Sequence, residues 1–259
     1  MPAKVEKKPA ARKPAARPSA APHATPSKAA PAESPPPFAG FSRQGVPFFQ
    51  GLAVAQSRDW FGAHKADYEA LWRAPMLSLL TEVRGPAEEL FGRKVAPPKI
   101  FRINRDVRFS KDKSPYKTHC GGLLGFGEVS SPEGVAGLYL QLGLEEFAAT
   151  GFYALDSDRL ALLRKRILDE KAGSKLAKLV AGCEARGQVA MSMQALKRAP
   201  SGVSPDHPRI ALLRQKGLAV SFPGIPKGVR YTVGLKAWLL EQLRVAAPVV
   251  QWGFENGLG

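Results

Sequence analysis

The sequence has few of the residues from which common catalytic and metal sites are built. Its 259 residues include two cysteines, Cys120 and Cys183, and four histidines. Two cysteines exclude a disulfide framework and a multi-cysteine metal site, and they are typical of buried thiols in a reducing compartment. No two histidines have metal-ligand spacing, so we predict no metal and no cofactor. The phosphate-binding pattern GxxxxGKS/T is also missing, which excludes a P-loop nucleotide site.

Long apolar runs are missing as well. A run such as Leu138–Leu144 is far shorter than the ~20 residues that a membrane-spanning helix needs, so we predict no membrane segment. No apolar stretch follows the first lysines, and a secretory signal is therefore not expected. With the cysteine count, these observations predict a cytoplasmic protein.

Acidic residues are scarce relative to basic ones, 22 against 38, which gives a net charge of +16. Residues 1–37 hold seven Lys or Arg against two Glu, a net of +5, in an Ala-, Pro- and Lys-rich composition that predicts disorder. The segment Arg93–Lys117 holds nine cations against two acids, a net of +7. The positive charge of the folded part is therefore concentrated in one segment.

The order of hydrophobic patterns predicts an α+β fold for residues 38–256, read as a single domain. Helical periodicity dominates up to Pro97, with Gly85 and Pro86 expected to kink or interrupt the third helix. Period-two patterns then predict strands that begin at Ile100 and recur to Tyr153 at hairpin-like distances. Helical patterns return after Asp156. We therefore predict a mainly antiparallel sheet packed with helices from both the N-terminal and the C-terminal parts.

The segment 101–117, FRINRDVRFSKDKSPYK, is the densest in charge and the strongest candidate for a site. Arginine offers a planar fork of donors to phosphate or carboxylate, and lysine offers a mobile charge, so the pattern favours an oxyanion. A strand to about Asn104 followed by a loop is predicted. The predicted ligand-binding residues are Arg102, Arg105, Arg108, Lys111, Lys113 and Lys117. Catalytic residues are not identified, and Asp106 and Tyr116 are the weak candidates; for Asp106, an ion-pair role between two arginines is favoured.

Three segments of the sequence resemble an uncharacterised family of bacterial and fungal proteins, DUF2461. They are RDWF at Arg58–Phe61, RDVRFSKDKSPYK at Arg105–Lys117 and PSGVSPDHP at Pro200–Pro208. The resemblance covers about Phe41 to Asn256 and implies a family but no established activity. The family pattern would have a glycine-rich strand of the form GGGxY where this chain has AATGFY at 148–153.

The pattern leaves three functions open, because charge alone attracts several partners. The first is binding of a phosphate-bearing or polyanionic small molecule through residues 99–117. The second is association with nucleic acid, in which the tail, this segment and a basic helix at Arg159–Lys178 form one electrostatic track. The third is an enzyme that processes phosphoryl groups or nucleotides. The oligomeric state is not predicted.

Overall fold

The computed structural model of the protein describes residues 35–108, 112–127, 136–153, 155–191 and 195–259. Most of the predicted disordered tail lies outside these ranges, as does Lys111. The described helices are α1 Gly45–Ala55, α2 Arg58–Ala63, α3 Lys65–Tyr68, α4 Ala74–Phe91, α5 Ser157–Leu168, α6 Glu170–Glu184, α7 Ile210–Leu213 and α8 Gly234–Glu255. A π-helical turn at Glu69–Arg73 joins α3 to α4, and a 3-10 turn at Val229–Tyr231 precedes α8.

A six-stranded sheet forms the second layer, and each neighbouring pair of strands is antiparallel. The strands are β1 Lys99–Ile100, β2 His119–Phe126, β3 Ala136–Gly143, β4 Phe147–Phe152, β5 Val189–Met191 and β6 Leu218–Ser221. Their order is β1-β2-β3-β4-β6-β5. The predicted α+β class with an antiparallel sheet is confirmed. None of the described helices is long and apolar enough to cross a membrane.

Local sequence signals account for several helix boundaries. Ser57 and Asp156 act as N-caps, accepting backbone amides at 3.2 Å and 2.8 Å, as the sequence predicts. Of the kink or interruption predicted at Gly85 and Pro86, the interruption is wrong, because α4 continues through both residues. Val83 and Ala87 on either side are fully buried, whereas Pro86 is exposed, so core packing holds the helix together at this position.

The long helices α4 and α8 cover one face of the sheet and pack on each other. Gly122 of β2 faces α4, because a Cβ there would lie 2.5 Å from a methyl carbon of Leu80. Directly paired residues share a face, so Leu140, the partner of Gly122, also points toward the helices. The alternation places Tyr139 on the opposite side. We call that side, away from α4 and α8, the second face of the sheet.

Glu82 of α4 connects three separate parts of the chain. One carboxylate oxygen accepts the amide of Phe38 at 2.6 Å, and the other accepts Nζ of Lys236 in α8 at 2.5 Å. The bond from Lys236 and then that from Phe38 lower the pKa of Glu82 below its ordinary value of 4.5. The folded protein therefore favours the ionised carboxylate.

We expect Glu82→Gln to destabilise the protein by about 1 kcal/mol at pH 7, because it removes a charge-assisted hydrogen bond that is partly exposed. Since the folded pKa of Glu82 is depressed, its contribution is present above the unfolded pKa near 4.5 and is lost as the pH falls through the folded pKa. The gap between variant and wild type in urea unfolding should therefore be smaller below pH 4.5 than at pH 7. Glu89→Gln, at an exposed site on the same helix, is the control and should change little at either pH. A gap that stays constant with pH would contradict the assigned ion pair.

Candidate functional site

The charged segment 101–117 folds back on itself. We call its described residues, 101–108 and 112–117, the basic hairpin. Asn104 forms an antiparallel bridge with Tyr116. Backbone hydrogen bonds of 2.8 and 2.9 Å flank this bridge on both sides. The regular strand β1 ends earlier than predicted, at Ile100. The segment that follows was predicted to be a loop after about Asn104, but its two arms are paired with each other.

A bulge lies where the basic hairpin joins β2. Ile100 pairs with Gly122 and Asn104 pairs with Tyr116, so four residues on one arm match six on the other. The two additional residues have no counterpart on the shorter arm, and such insertions bend the longer arm. Within it, the carbonyl of Thr118 turns toward β3, where it accepts the amide that follows that strand at 3.0 Å. Bulges of this kind change the direction of the neighbouring side chains.

The junction of α1 and α2 holds the hairpin at Tyr116. Gln56 has a left-handed backbone with φ of 40°, and its side chain pairs with the main chain of Tyr116. Its Oε1 accepts the amide at 3.1 Å, and its Nε2 donates to the carbonyl at 3.4 Å. The ring of Phe61 lies 4.8 Å from the ring of Tyr116. Phe61 and Tyr116 belong to two of the segments that carry the family resemblance, so these segments meet in the fold.

Asp106 is the ion-pair partner of Arg108. Its carboxylate accepts Nε at 3.0 Å and Nη2 at 2.7 Å. These hydrogen bonds, with that of the Arg108 amide, lower the pKa of Asp106 to about 2, and Arg102 adds a smaller electrostatic effect. A carboxylate with so low a pKa accepts protons poorly at neutral pH, so this geometry does not suit a general base.

Two more of the predicted ligand-binding cations make contacts inside the hairpin. Arg105 forms an ion pair with Asp112, and Nζ of Lys113 donates to the carbonyl of Val107 at 2.9 Å. The Nε of Arg105 is buried and has no acceptor among the described residues. Arg105 therefore keeps a donor that its intramolecular partners do not use.

Arg102, Arg105 and Lys117 come together beside the bulge, and we call them the cation cluster. Nζ of Lys117 donates to the carbonyl of Arg102 at 3.1 Å. Burial lowers the pKa of Lys117, and the charges of Arg102 and Arg105 lower it further. The guanidinium of Arg102 is exposed and has no hydrogen bond or ion pair within the described ranges. Several cations on one hairpin favour a bound anion.

His119 borders the cation cluster at the start of β2. Burial lowers its pKa, and Lys117 lowers it further, while Glu145 acts in the opposite direction. The imidazole is therefore neutral at pH 7 and can donate one hydrogen bond and accept another. It adds a polar group, but no charge, to this end of the sheet.

The proline loop 200–208 lies far from the basic hairpin. The residue after it, Arg209, donates to the carbonyl of Ile167 at 2.9 Å and forms an ion pair with Glu170 at 3.0 Å. These contacts hold the loop on α5 and α6, and α6 packs on the edge strand β5.

In the described ranges, no three His, Cys, Asp or Glu side chains form a group that could hold a metal ion.

The basic helical region Arg159–Lys178 belongs to the same distant edge. The sheet order places β1 and β5 at opposite edges, five strand spacings or roughly 24 Å apart. Arg159 is also paired with Asp156 at 3.2 Å. The hairpin and this region therefore do not adjoin as a single electrostatic track.

Both cysteines are buried free thiols, as the sequence predicts. Burial raises the pKa of Cys120 to about 11, although Tyr68 donates a hydrogen bond to its sulfur at 3.6 Å. The thiol is neutral and faces the helices.

Tyr116, the second weak candidate for a catalytic residue after Asp106, is 4% exposed and packs its ring in the core.

A cleft of about 300 Å³ carries a separate group of cations near the 3-10 turn. Arg43 lies 4.2 Å from the ring centroid of Tyr231, and Arg230 is paired with Glu146. Lys227 completes the basic lining. This cleft is lined by none of the predicted ligand-binding residues.

An aromatic row on the second face was not predicted. The ring of Tyr139 lies 6.0 Å from that of Phe101 and 6.2 Å from that of Phe147. The signal was available, because buried leucines in β3 alternate with Tyr139 and Gln141. Alternation predicts that these two side chains share the face away from the core.

A comparison with known protein families identifies the family of this chain. Residues 44–252 match the model of the conserved hypothetical protein family DUF2461, and this range includes the basic hairpin and Phe61. No curated protein and no solved structure matches the chain. Because the match spans most of the sequence, the protein belongs to the DUF2461 family of conserved hypothetical proteins, as the sequence resemblance predicts.

Proposed function

We propose that the protein binds a phosphate-bearing or otherwise polyanionic ligand through the cation cluster. The observation that supports this most directly is that Lys117 contacts the main chain of Arg102 and that Arg105 contacts the main chain of Tyr116, which precedes Lys117, at 3.4 Å. Arg102 has a free guanidinium, and Arg105 has a buried Nε without an acceptor among the described residues. An anion beside them would accept hydrogen bonds from the exposed guanidinium of Arg102 and reduce the repulsion between the three charges.

The remaining predicted cations have supporting roles in this proposal. Arg108 and Lys113 stabilise the turn through Asp106 and the carbonyl of Val107, so their charges are partly used. Lys111 stays a proposed ligand, although it lies outside the described residues. The binding function is favoured over phosphoryl chemistry because Asp106, the candidate base, is held ionised by Arg108. We also propose a cytoplasmic location, which two buried free thiols support.

We expect Arg102→Gln to weaken binding of inorganic pyrophosphate about tenfold, because it removes one charge-assisted contact worth roughly 1.4 kcal/mol. The melting temperature should not change, since the guanidinium of Arg102 has no hydrogen bond or ion pair within the described ranges and its carbonyl bond to Lys117 does not depend on the side chain. Isothermal titration calorimetry at low ionic strength measures the affinity, and the same titration in more salt should show weaker binding.

Arg43→Gln is the matched control, because Arg43 lines the separate basic cleft. It should leave pyrophosphate affinity unchanged. If Arg43→Gln weakens binding and Arg102→Gln does not, the anion site is the cleft and the proposal is wrong. It is also wrong if pyrophosphate does not bind to the wild-type protein.

A further inference from the structure

The aromatic row lies directly beside the cation cluster, at the edge of the second face. Lys117, a member of the cluster, has its Nζ 5.7 Å from the ring centroid of Phe101, and Lys99 lies 5.6 Å from it. Phe101, Tyr139 and Phe147 are all half-buried, so part of each ring remains accessible. A ligand held by Lys117 therefore reaches an accessible aromatic surface without crossing the sheet.

The backbone of β2 lets the rings approach each other. Gly121 lies between Phe101 and Tyr139, and a Cβ there would lie 3.1 Å from Oη of Tyr139 and 3.6 Å from the ring of Phe101. A larger residue would fill the space between the two rings. Glycine in a strand marks a place where groups approach the backbone closely.

Polar groups border the row on the side of β3. Oη of Tyr139 donates to Oε1 of Gln141 at 2.9 Å. This bond uses the amide oxygen of Gln141 and leaves its Nε2 donors without a partner among the described residues. The arrangement presents amide donors next to aromatic faces, which suits the carbonyl and ring-nitrogen acceptors of a nucleobase.

We infer that the ligand of the cation cluster is a nucleotide unit, whose phosphate binds Arg102, Arg105 and Lys117 and whose base stacks on Phe101 and Tyr139. This inference rests on the proposed function and adds the class of ligand. Base stacking on aromatic side chains contributes about 1–3 kcal/mol per base and tolerates different bases. The same chemistry is offered by a free nucleotide and by single-stranded nucleic acid.

The test compares ADP with inorganic pyrophosphate by calorimetry on the full chain. ADP should bind about tenfold more tightly, because only ADP carries a base. Phe101→Leu should remove this advantage, so that ADP binds no more tightly than pyrophosphate, and Arg102→Gln should weaken binding of both ligands. If Phe101→Leu does not fold, Phe147→Leu tests the far end of the row in the same way, with a partial loss expected.

The outcomes separate the two proposals. Pyrophosphate binding with no advantage for ADP, or an advantage that survives loss of the rings, overturns the nucleotide inference and leaves the anion site standing. No binding of pyrophosphate or ADP overturns both. A short oligothymidylate distinguishes the sources: binding tighter than ADP, with a steep salt dependence, indicates single-stranded nucleic acid, and binding no tighter than ADP indicates a free nucleotide.

Discussion

Gly151→Ala is expected to destabilise the protein by about 3 kcal/mol or more, or to prevent folding. Gly151 lies in β4 with φ of +126°, a conformation that alanine adopts only with strain. A Cβ there would also lie 2.3 Å from the carbonyl oxygen of Leu218 and 2.8 Å from Cα of Ala219. Both atoms are backbone of the paired strand β6, so they cannot move aside without breaking the β4–β6 pairing. Chemical denaturation monitored by circular dichroism measures the loss.

Gly182→Ala is the matched control for this effect. Gly182 lies in α6, and a Cβ there would meet no atom within 4 Å. Alanine is a better helix former than glycine, so this variant should be neutral or up to about 1 kcal/mol more stable. A loss below about 1 kcal/mol for Gly151→Ala would show that β4 relaxes more easily than this packing implies.

Gly151 is the residue at which β4 needs glycine. Ala149 and Thr150, which precede it, occupy regular strand positions with ordinary pairing. Gly151 has a positive φ, whereas Ala149 and Thr150 do not.

Much of the fold could be predicted from local signals, because those signals act within a few residues. The caps at Ser57 and Asp156 follow from side-chain chemistry alone. The continuity of α4 through Pro86 could not be predicted, because it depends on burial of Val83 and Ala87 against distant elements. Tertiary packing outweighs local propensity at such positions.

The sequence predicts which segment carries the candidate site but not the contacts within that segment. The charge density marks the segment, yet only the pairing of its arms decides which cations face each other and which bind Asp106 or Asp112. The bulge depends on a two-residue mismatch between the arms, which has no signature in the sequence. The role of Gln56 is equally non-local, since it is sixty residues before Tyr116.

Tyr116→Ala is expected to destabilise the protein by about 3–4 kcal/mol, because it removes a buried aromatic ring and leaves a cavity against Phe61. The contact with α2 helps to hold the basic hairpin, so the pairing around Asn104 should loosen as well. Amide hydrogen exchange should report this, with the Arg105 and Lys117 amides, which are paired across the hairpin, losing protection. Pyrophosphate binding should weaken together with that protection.

Tyr116→Phe separates this packing role from a chemical one. The hydroxyl of Tyr116 has no hydrogen bond to any other residue in the described ranges. Its removal should therefore change stability by no more than about 0.5 kcal/mol and leave pyrophosphate affinity intact. A variant that keeps full stability and hairpin protection but no longer binds pyrophosphate would mean that the hydroxyl contacts the ligand. In that case Tyr116 would belong to the binding site itself, and the core contact with Phe61 would be what positions it.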